Sequence, residues 1–320
     1  MTIKEKILDS IAPVLKSSSS VGIDESKIPL LAKKLESRPV PGLDEPLQFP
    51  GSPEEVAQFL FFLDSSQGCF WGLPNRERWY FRIGKEWVKG YYAFAHAIKK
   101  AFLGHERFFD ALYLSEIPFD DFSRIFEGKN ELLLLKERHE IIRENFRIIK
   151  DKYGGQVLNL VLAAKSDANK LVELIVDDFP SFRDISQFQG EKVYFLKRAQ
   201  LFVSDINFAL FGKGAGYFKN MQDLTIFVDY KLPQLLEAEG ILVYNEELKN
   251  KIANYQLIEK DSHEELEIRA NTIWACELLL AGLNKIGRNL TSNNLDWMLW
   301  VLSKEREFPL PYHRTITTNY

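Results

Sequence analysis

Sulfur is scarce in this chain: two cysteines, Cys69 and Cys276, and three methionines in 320 residues. So few cysteines exclude a disulfide scaffold and fit a reducing compartment. The five histidines are scattered and no Cys/His spacing has the form of a zinc site, so no metal is expected. Basic excess is missing too: 41 Lys and Arg face 45 Asp and Glu, a net charge of −4. Proteins that grip many backbone phosphates carry a basic surface, so long nucleic acid is not the expected partner. No apolar stretch is long and charge-free enough to span a bilayer. Residues 1–6 run into an amphipathic pattern, not an apolar leader. The expectation is a cytoplasmic protein away from membranes. There is no Walker A sequence and no G-x-G-x-x-G after a strand, so neither ATP nor NAD is supported and no cofactor is expected. Nor does strand alternate with helix as in parallel α/β folds.

Aromatic rings are plentiful: 24 Phe, 12 Tyr and 6 Trp. Rings fill cores, which accounts for most of them, and they also wall pockets for flat ligands. Apolar residues recur at helical spacing over most of the chain. Residues 1–16 and 23–35 read as helices joined by a loop around Ser17–Ser20. The four prolines between 38 and 52 make an extended connector. Ser52-Pro53-Glu54-Glu55 starts a helix running to about 64, with Ser as N-cap and Glu at its third position. Alternation around Gly84, over 79–88, predicts a short hairpin. Residues 89–150 are helix-like, and 131–153 form a charged amphipathic helix ended by Gly154-Gly155. Its Lys136-Glu-Arg-His-Glu140 run reads as a solvated face. Further helices are predicted near 156–164, 167–178, 193–211, 231–239, 245–253, 264–286 and 292–304. The fold class is therefore all-α with at most a minor β-hairpin. The expected organisation is a single domain, with an N-terminal helical lobe over about 1–150 and a C-terminal catalytic lobe over about 151–320.

The most informative block is Phe211-Gly-Lys-Gly-Ala-Gly-Tyr-Phe218 followed by Leu224-Thr-Ile-Phe-Val-Asp-Tyr-Lys-Leu-Pro-Gln234. A helix, a glycine-rich turn, and then Asp229 at a helix start resemble the helix–hairpin–helix DNA glycosylases. In those proteins backbone amides of the hairpin bind a phosphate and a downstream Val-Asp supplies the catalytic carboxylate. On pattern alone the same residues suit an ordinary turn and an N-cap aspartate. Asp205 lies in an otherwise apolar helix. It either holds a substrate group or pairs with Lys197 or Arg198, because buried Asp is rare without a partner.

Read over the whole chain, the ordered set is more specific. It comprises Phe179-Pro-Ser-Phe-Arg-Asp184, Lys197-Arg-Ala-Gln200, Asp205, Gly212-Lys-Gly-x-Gly216, Phe227-x-Asp-Tyr-Lys-Leu-Pro-Gln234, Glu265-x-Glu-Ile-Arg269, Leu295-Asp-x-x-Leu-Trp300 and His313-Arg314 with Tyr320. From about residue 30 to 320 the chain resembles the queuosine salvage family. The resemblance implies a DNA-glycosylase-like helical fold and hydrolysis of queuosine 5′-phosphate to queuine and ribose 5-phosphate. It implies Asp229 as the catalytic carboxylate and Phe227, Asp296 and Trp300 as base-pocket residues. A pocket position that the family fills with His falls on Phe49. The family's second acid after the Leu-x-Trp pair falls on Val301, and its Asn-Phe-x-Phe-Trp segment reads Gln67-Gly-Cys-Phe-Trp71.

These residue types suit the reaction. Breaking an N-ribosyl bond builds positive charge on the sugar, and a fixed carboxylate stabilises it. Queuine is a 7-deazaguanine, so it has no N7 to protonate and leaves reluctantly. Its 7-substituent carries a secondary amine, cationic near neutral pH, which a carboxylate and an aromatic wall suit. Asp296 and Trp300, four residues apart, share a helical face. The glycine hairpin, Lys213, Lys231 and Arg314 are the candidates for the phosphate. The expected partner is thus a small nucleotide, and the expected state a monomer. The rival expectation is a helix–hairpin–helix nucleic-acid-binding module or a DNA glycosylase.

Overall fold

The computed structural model describes residues 1–42, 45–73 and 76–320. Helices dominate. In chain order the longer ones are Ile3–Ser17, Ile28–Leu35, Pro53–Ser65, Gly90–Gly104, Leu135–Tyr153, Ala168–Asp178, Lys197–Ala209, Lys231–Ala238, Glu246–Ala253, His263–Lys285 and Ser292–Leu302. Among the described residues no helix is long and apolar enough to cross a membrane.

Strand content exceeds the single expected hairpin. The hairpin Tyr80–Ile83/Glu86–Lys89 is present, turning at Gly84. A second hairpin pairs Ile185–Phe188 with Glu191–Tyr194, and Val21–Ile23 pairs antiparallel with Leu242–Tyr244. These are three isolated two-stranded ribbons on a helical body. The second hairpin turns on Gln189 and Gly190, both at positive φ. A two-residue turn with this left-handed backbone matches the strands' twist.

Two helices organise the packing. Pro53–Ser65 has every residue from Val56 to Ser65 buried. It packs against Lys197–Ala209, Val157–Ala163, Gly90–Gly104 and Leu135–Tyr153. Its capping box forms as the sequence predicts: Glu55 N–H donates to Ser52 Oγ and Ser52 N–H donates to Glu55 Oε2. Phe59, Phe61 and Phe62 join one aromatic network through Phe102 and Phe146, and the helix has no wet face from Val56 on. Burying each such ring contributes roughly 1.5–3 kcal/mol.

The second organiser is His263–Lys285. The N-terminal helices Ile3–Ser17 and Ile28–Leu35 pack on it, as do Lys231–Ala238 and Ser292–Leu302. Buried Glu267 fixes the Ser17–Ser20 loop by accepting N–H bonds from Ser19, Ser20 and Val21.

The expectation that Lys136–Glu140 forms a solvated face holds for Lys136, Glu137 and Glu140 and is corrected for Arg138 and His139. Arg138 is fully buried and donates to the carbonyls of Leu133, Ser66 and Cys69. Its guanidinium lies over Phe70 and Phe94. His139 is buried and bonded to the Ile117 carbonyl. A guanidinium with several donors can tie down loop carbonyls that no backbone amide reaches.

Candidate active site

One cavity of about 360 Å³ lies between the start of Gly90–Gly104, the start of Lys231–Ala238 and the face of Ser292–Leu302. Five of the residues singled out from sequence line it: Asp229, Phe227, Asp296, Trp300 and Asp205.

Local structure places Asp229. Its Oδ1 accepts from Lys231 N–H at 2.6 Å and Leu232 N–H at 3.4 Å, at the start of Lys231–Ala238. Amides at a helix N-terminus favour a carboxylate in its ionised form. The helix Ser292–Leu302 starts from a capping box at Thr291 and presents Asp296 and Trp300 on one face. Phe227 N–H donates to Asp296 Oδ1 at 2.8 Å, locking the strand of chain before Asp229 onto that helix. Burial pushes the Asp296 carboxyl up to about 8, and the nearby Asp229 charge pushes the same way.

Lys197 completes the floor. It is buried, and its Nζ donates to Gln67 Oε1 at 2.9 Å. Burial lowers its affinity for the proton, while Asp229, Asp64 and Asp296 raise it. Leu196, just before it, sits at φ 54, a conformation costly for a non-glycine residue. Asp184 holds that turn: its carbonyl accepts from Phe195 and Leu196 N–H and its carboxylate from Lys197 N–H. The turn aims the lysine stem into the cavity. Behind it, Gln67 Nε2 donates to Asp64 Oδ1 at 2.7 Å, and burial pushes Asp64 up to about 8. Gln67 is thus the bridge between an acid and the cavity's buried ammonium.

Cations line the same cavity. Arg78, Lys89 and Lys231 line the cavity beside Gly90, the first residue of the helix Gly90–Gly104. That helix has no side-chain cap, and Gly90 itself has positive φ. Arg78 also donates to Tyr312 Oη at 2.5 Å, and Lys231 Nζ lies over the Tyr312 ring.

Other sequence candidates lie elsewhere. Phe49 packs in the core, stacked on Phe59 with centroids 4.7 Å apart and edge-on to Phe102 and Phe109. It is not among the residues lining the cavity. The phosphate expectation is corrected in part: of Lys213, Lys231 and Arg314, Lys231 alone lines the cavity among the described residues. The glycine turn is fixed by packing. A Cβ on Gly216 would meet Leu210 Cβ at 2.5 Å and the Ile206 carbonyl at 2.9 Å. Arg314 spends a donor on the Gly72 carbonyl and lies over Tyr255. Asp205 is fully buried at the cavity wall. Arg198, once a candidate partner for it, donates instead to the carbonyls of Asp64, Ser65 and Ser181. His313 is buried beside Arg269 and held down to about 3, so it stays neutral. Burial pushes the Cys69 thiol up, which leaves it a poor nucleophile.

The family model for queuosine salvage proteins matches residues 47–320. The chain belongs to the queuosine salvage protein family. A queuosine 5′-phosphate N-glycosylase/hydrolase from Sphaerobacter thermophilus is 37% identical over 319 residues, covering 98% of this chain and 97% of that protein. The proteins of the same name from Mus musculus and Bos taurus are 34% and 32% identical, each covering 83% of this chain and 82% of its relative. A nucleic-acid-binding module or DNA glycosylase is not favoured by these relationships.

Proposed function

We propose that this chain hydrolyses the N-glycosidic bond of queuosine 5′-phosphate, releasing queuine and ribose 5-phosphate, with Asp229 as the catalytic carboxylate. The observation that carries this reading is the presence of Asp229 and Asp296 in one cavity with Arg78, Lys89 and Lys231. The family relationship supports the substrate, since the relatives carry its name.

The two carboxyls suit different tasks. Asp229, anchored by two helix amides, faces the sugar carbon as an anion while positive charge develops there. Asp296 keeps its proton near neutral pH because it is buried, and it donates that proton to the departing base. The C1′–N bond breaks with its electron pair leaving on the base. A water oxygen bonds to C1′, and the water's surplus proton restores the acid. Lys197 balances the carboxyl cluster without entering the bond changes. Phe227 and Trp300 wall the base, and Asp205 takes a polar group of it. Arg78, Lys89, Lys231 and the amides at Gly90 hold the 5′-phosphate, since helix N-termini and clustered cations both favour anions. Remote phosphate binding then helps position the reacting carbon.

The test is to incubate the protein with queuosine 5′-phosphate and measure queuine and ribose 5-phosphate by mass spectrometry. Equimolar appearance of both supports the reading; an unchanged nucleotide after prolonged incubation overturns it.

A further inference from the structure

The mouth of the cavity holds a cation–aromatic arrangement whose lysine and tyrosines the reaction leaves unused. Lys304 follows the helix Ser292–Leu302 and is exposed. Its Nζ nonetheless lies 3.1 Å from the Trp300 ring centroid and 4.3 Å from that of Tyr92. It donates to Tyr92 Oη at 2.9 Å. The Tyr92 and Trp300 rings are stacked at 20° with centroids 5.9 Å apart, and Tyr91 meets Trp300 edge-on. The lysine ammonium therefore occupies a slot with two aromatic walls, and all four residues line the cavity.

Such a slot recognises a compact organic cation. Tryptophan offers the strongest ring face for one, and a second ring adds to it. The proposed substrate brings such a group: the secondary ammonium on the 7-substituent of its base. Two cations cannot share the slot. Lys304 gives up these contacts on leaving, and its exposed stem lets the ammonium swing into water.

We propose that the Tyr92/Trp300 slot receives the ammonium of the substrate's 7-substituent, and that Lys304 is a specificity-determining residue which holds the slot until a ligand cation displaces it. This rests on the substrate assigned above. A base with a neutral or absent 7-substituent leaves Lys304 in place and gains nothing from the slot. A cationic one exchanges one ammonium for another, and its apparent affinity is reduced by the cost of moving Lys304.

The experiment is calorimetric titration of queuine and of 7-deazaguanine into wild type, Lys304→Met and Arg306→Met. Methionine keeps the apolar stem and removes the charge. Arg306, also at the cavity and paired with Glu239, controls for net charge. Lys304→Met is expected to bind queuine roughly 3- to 30-fold more tightly, the range of one cation–π contact. Its affinity for 7-deazaguanine should stay within about 2-fold, as one slot contact is at stake. Adding Trp300→Ala should erase the gain. Unchanged or weaker queuine binding by Lys304→Met overturns the proposal. So does an equal gain from Arg306→Met, which would make the effect one of overall charge. If wild type binds neither base and leaves queuosine 5′-phosphate intact, the substrate assignment fails and the slot with it. If wild type cleaves the nucleotide while Lys304→Met gains nothing for queuine, the slot alone falls.

Discussion

Two buried charge clusters lie side by side in this protein and are built on opposite principles. In the first, Arg269 meets Asp184 with two parallel hydrogen bonds, Nη1 to Oδ1 at 2.9 Å and Nη2 to Oδ2 at 2.6 Å. Glu265 accepts from Tyr320 Oη at 2.8 Å, and the guanidinium is covered by the Phe195 and Tyr320 rings. In the second, Asp64, Asp229 and Asp296 gather around the buried ammonium of Lys197. The clusters touch where Asp184 accepts the Lys197 N–H. The fork in the first pairs Arg269 with Asp184 and holds Arg269 more firmly protonated than usual, while burial pushes the Glu265 carboxyl up. The second carries more acid than base, and burial keeps protons on Asp64 and Asp296 up to about pH 8. A bidentate ion pair anchors the first cluster; the second, with its excess of acid at the cavity, is where we place the chemistry.

Breaking the first cluster should have the largest effect. Arg269→Met strands Asp184 as a buried, uncompensated charge and should cost about 3–5 kcal/mol of stability, measured by urea unfolding. A loss under about 1 kcal/mol would erase the contrast, since that is the scale of a surface pair.

The cavity's cations come next. Arg78→Ala should lower kcat/KM for queuosine 5′-phosphate by about 10- to 100-fold, the scale of a charge-assisted hydrogen bond. It should leave kcat/KM for the unphosphorylated nucleoside nearly unchanged. Equal losses on both substrates would place the phosphate elsewhere.

The third test concerns the proton on Asp296. Its raised affinity means the acid form is present at neutral pH and is lost as pH rises through about 8. The rate should therefore fall on the alkaline side by about tenfold per pH unit, as for a single essential acid. Asp296→Asn should be slow throughout and lack that limb. A variant that retains the limb would assign it to another group.

The smallest effect is expected at Phe49. Phe49→Leu should cost about 1 kcal/mol of stability, read from thermal unfolding, with kcat/KM unaltered. A selective loss of queuine affinity would return Phe49 to the site.

Much of this was legible in the sequence, for physical reasons that differ by element. Helices with caps and strong periodicity were found within a few residues, Pro53–Ser65 and His263–Lys285 among them. Asp229, Phe227, Asp296, Trp300 and Asp205 could be named because ordered motifs surround them. Lys197 sat inside one of those motifs, yet its burial against three carboxyls is a tertiary fact. Arg78 and Lys89 escaped notice because charges flanking a hairpin resemble ordinary surface charge. The available signal was Gly90, a glycine between that hairpin and an uncapped helix. The second hairpin lies mostly between the predicted helices 167–178 and 193–211, where no element was expected, although Gln189-Gly190 between alternating segments marks its turn. Arg138 was misread because helix periodicity does not say which polar residue will serve loop carbonyls.

The central claim is that the second cluster is catalytic through Asp229, and one comparison tests it most directly. Asp229→Asn keeps the shape and the helix cap, because Asn caps about as well as Asp. Turnover of queuosine 5′-phosphate, queuine affinity and melting temperature should be measured on the variant and wild type together. The account predicts kcat lower by on the order of 10²-fold or more, with queuine binding and melting temperature nearly unchanged. Near-normal turnover by Asp229→Asn would contradict it and move the catalytic role to another carboxyl of the cluster.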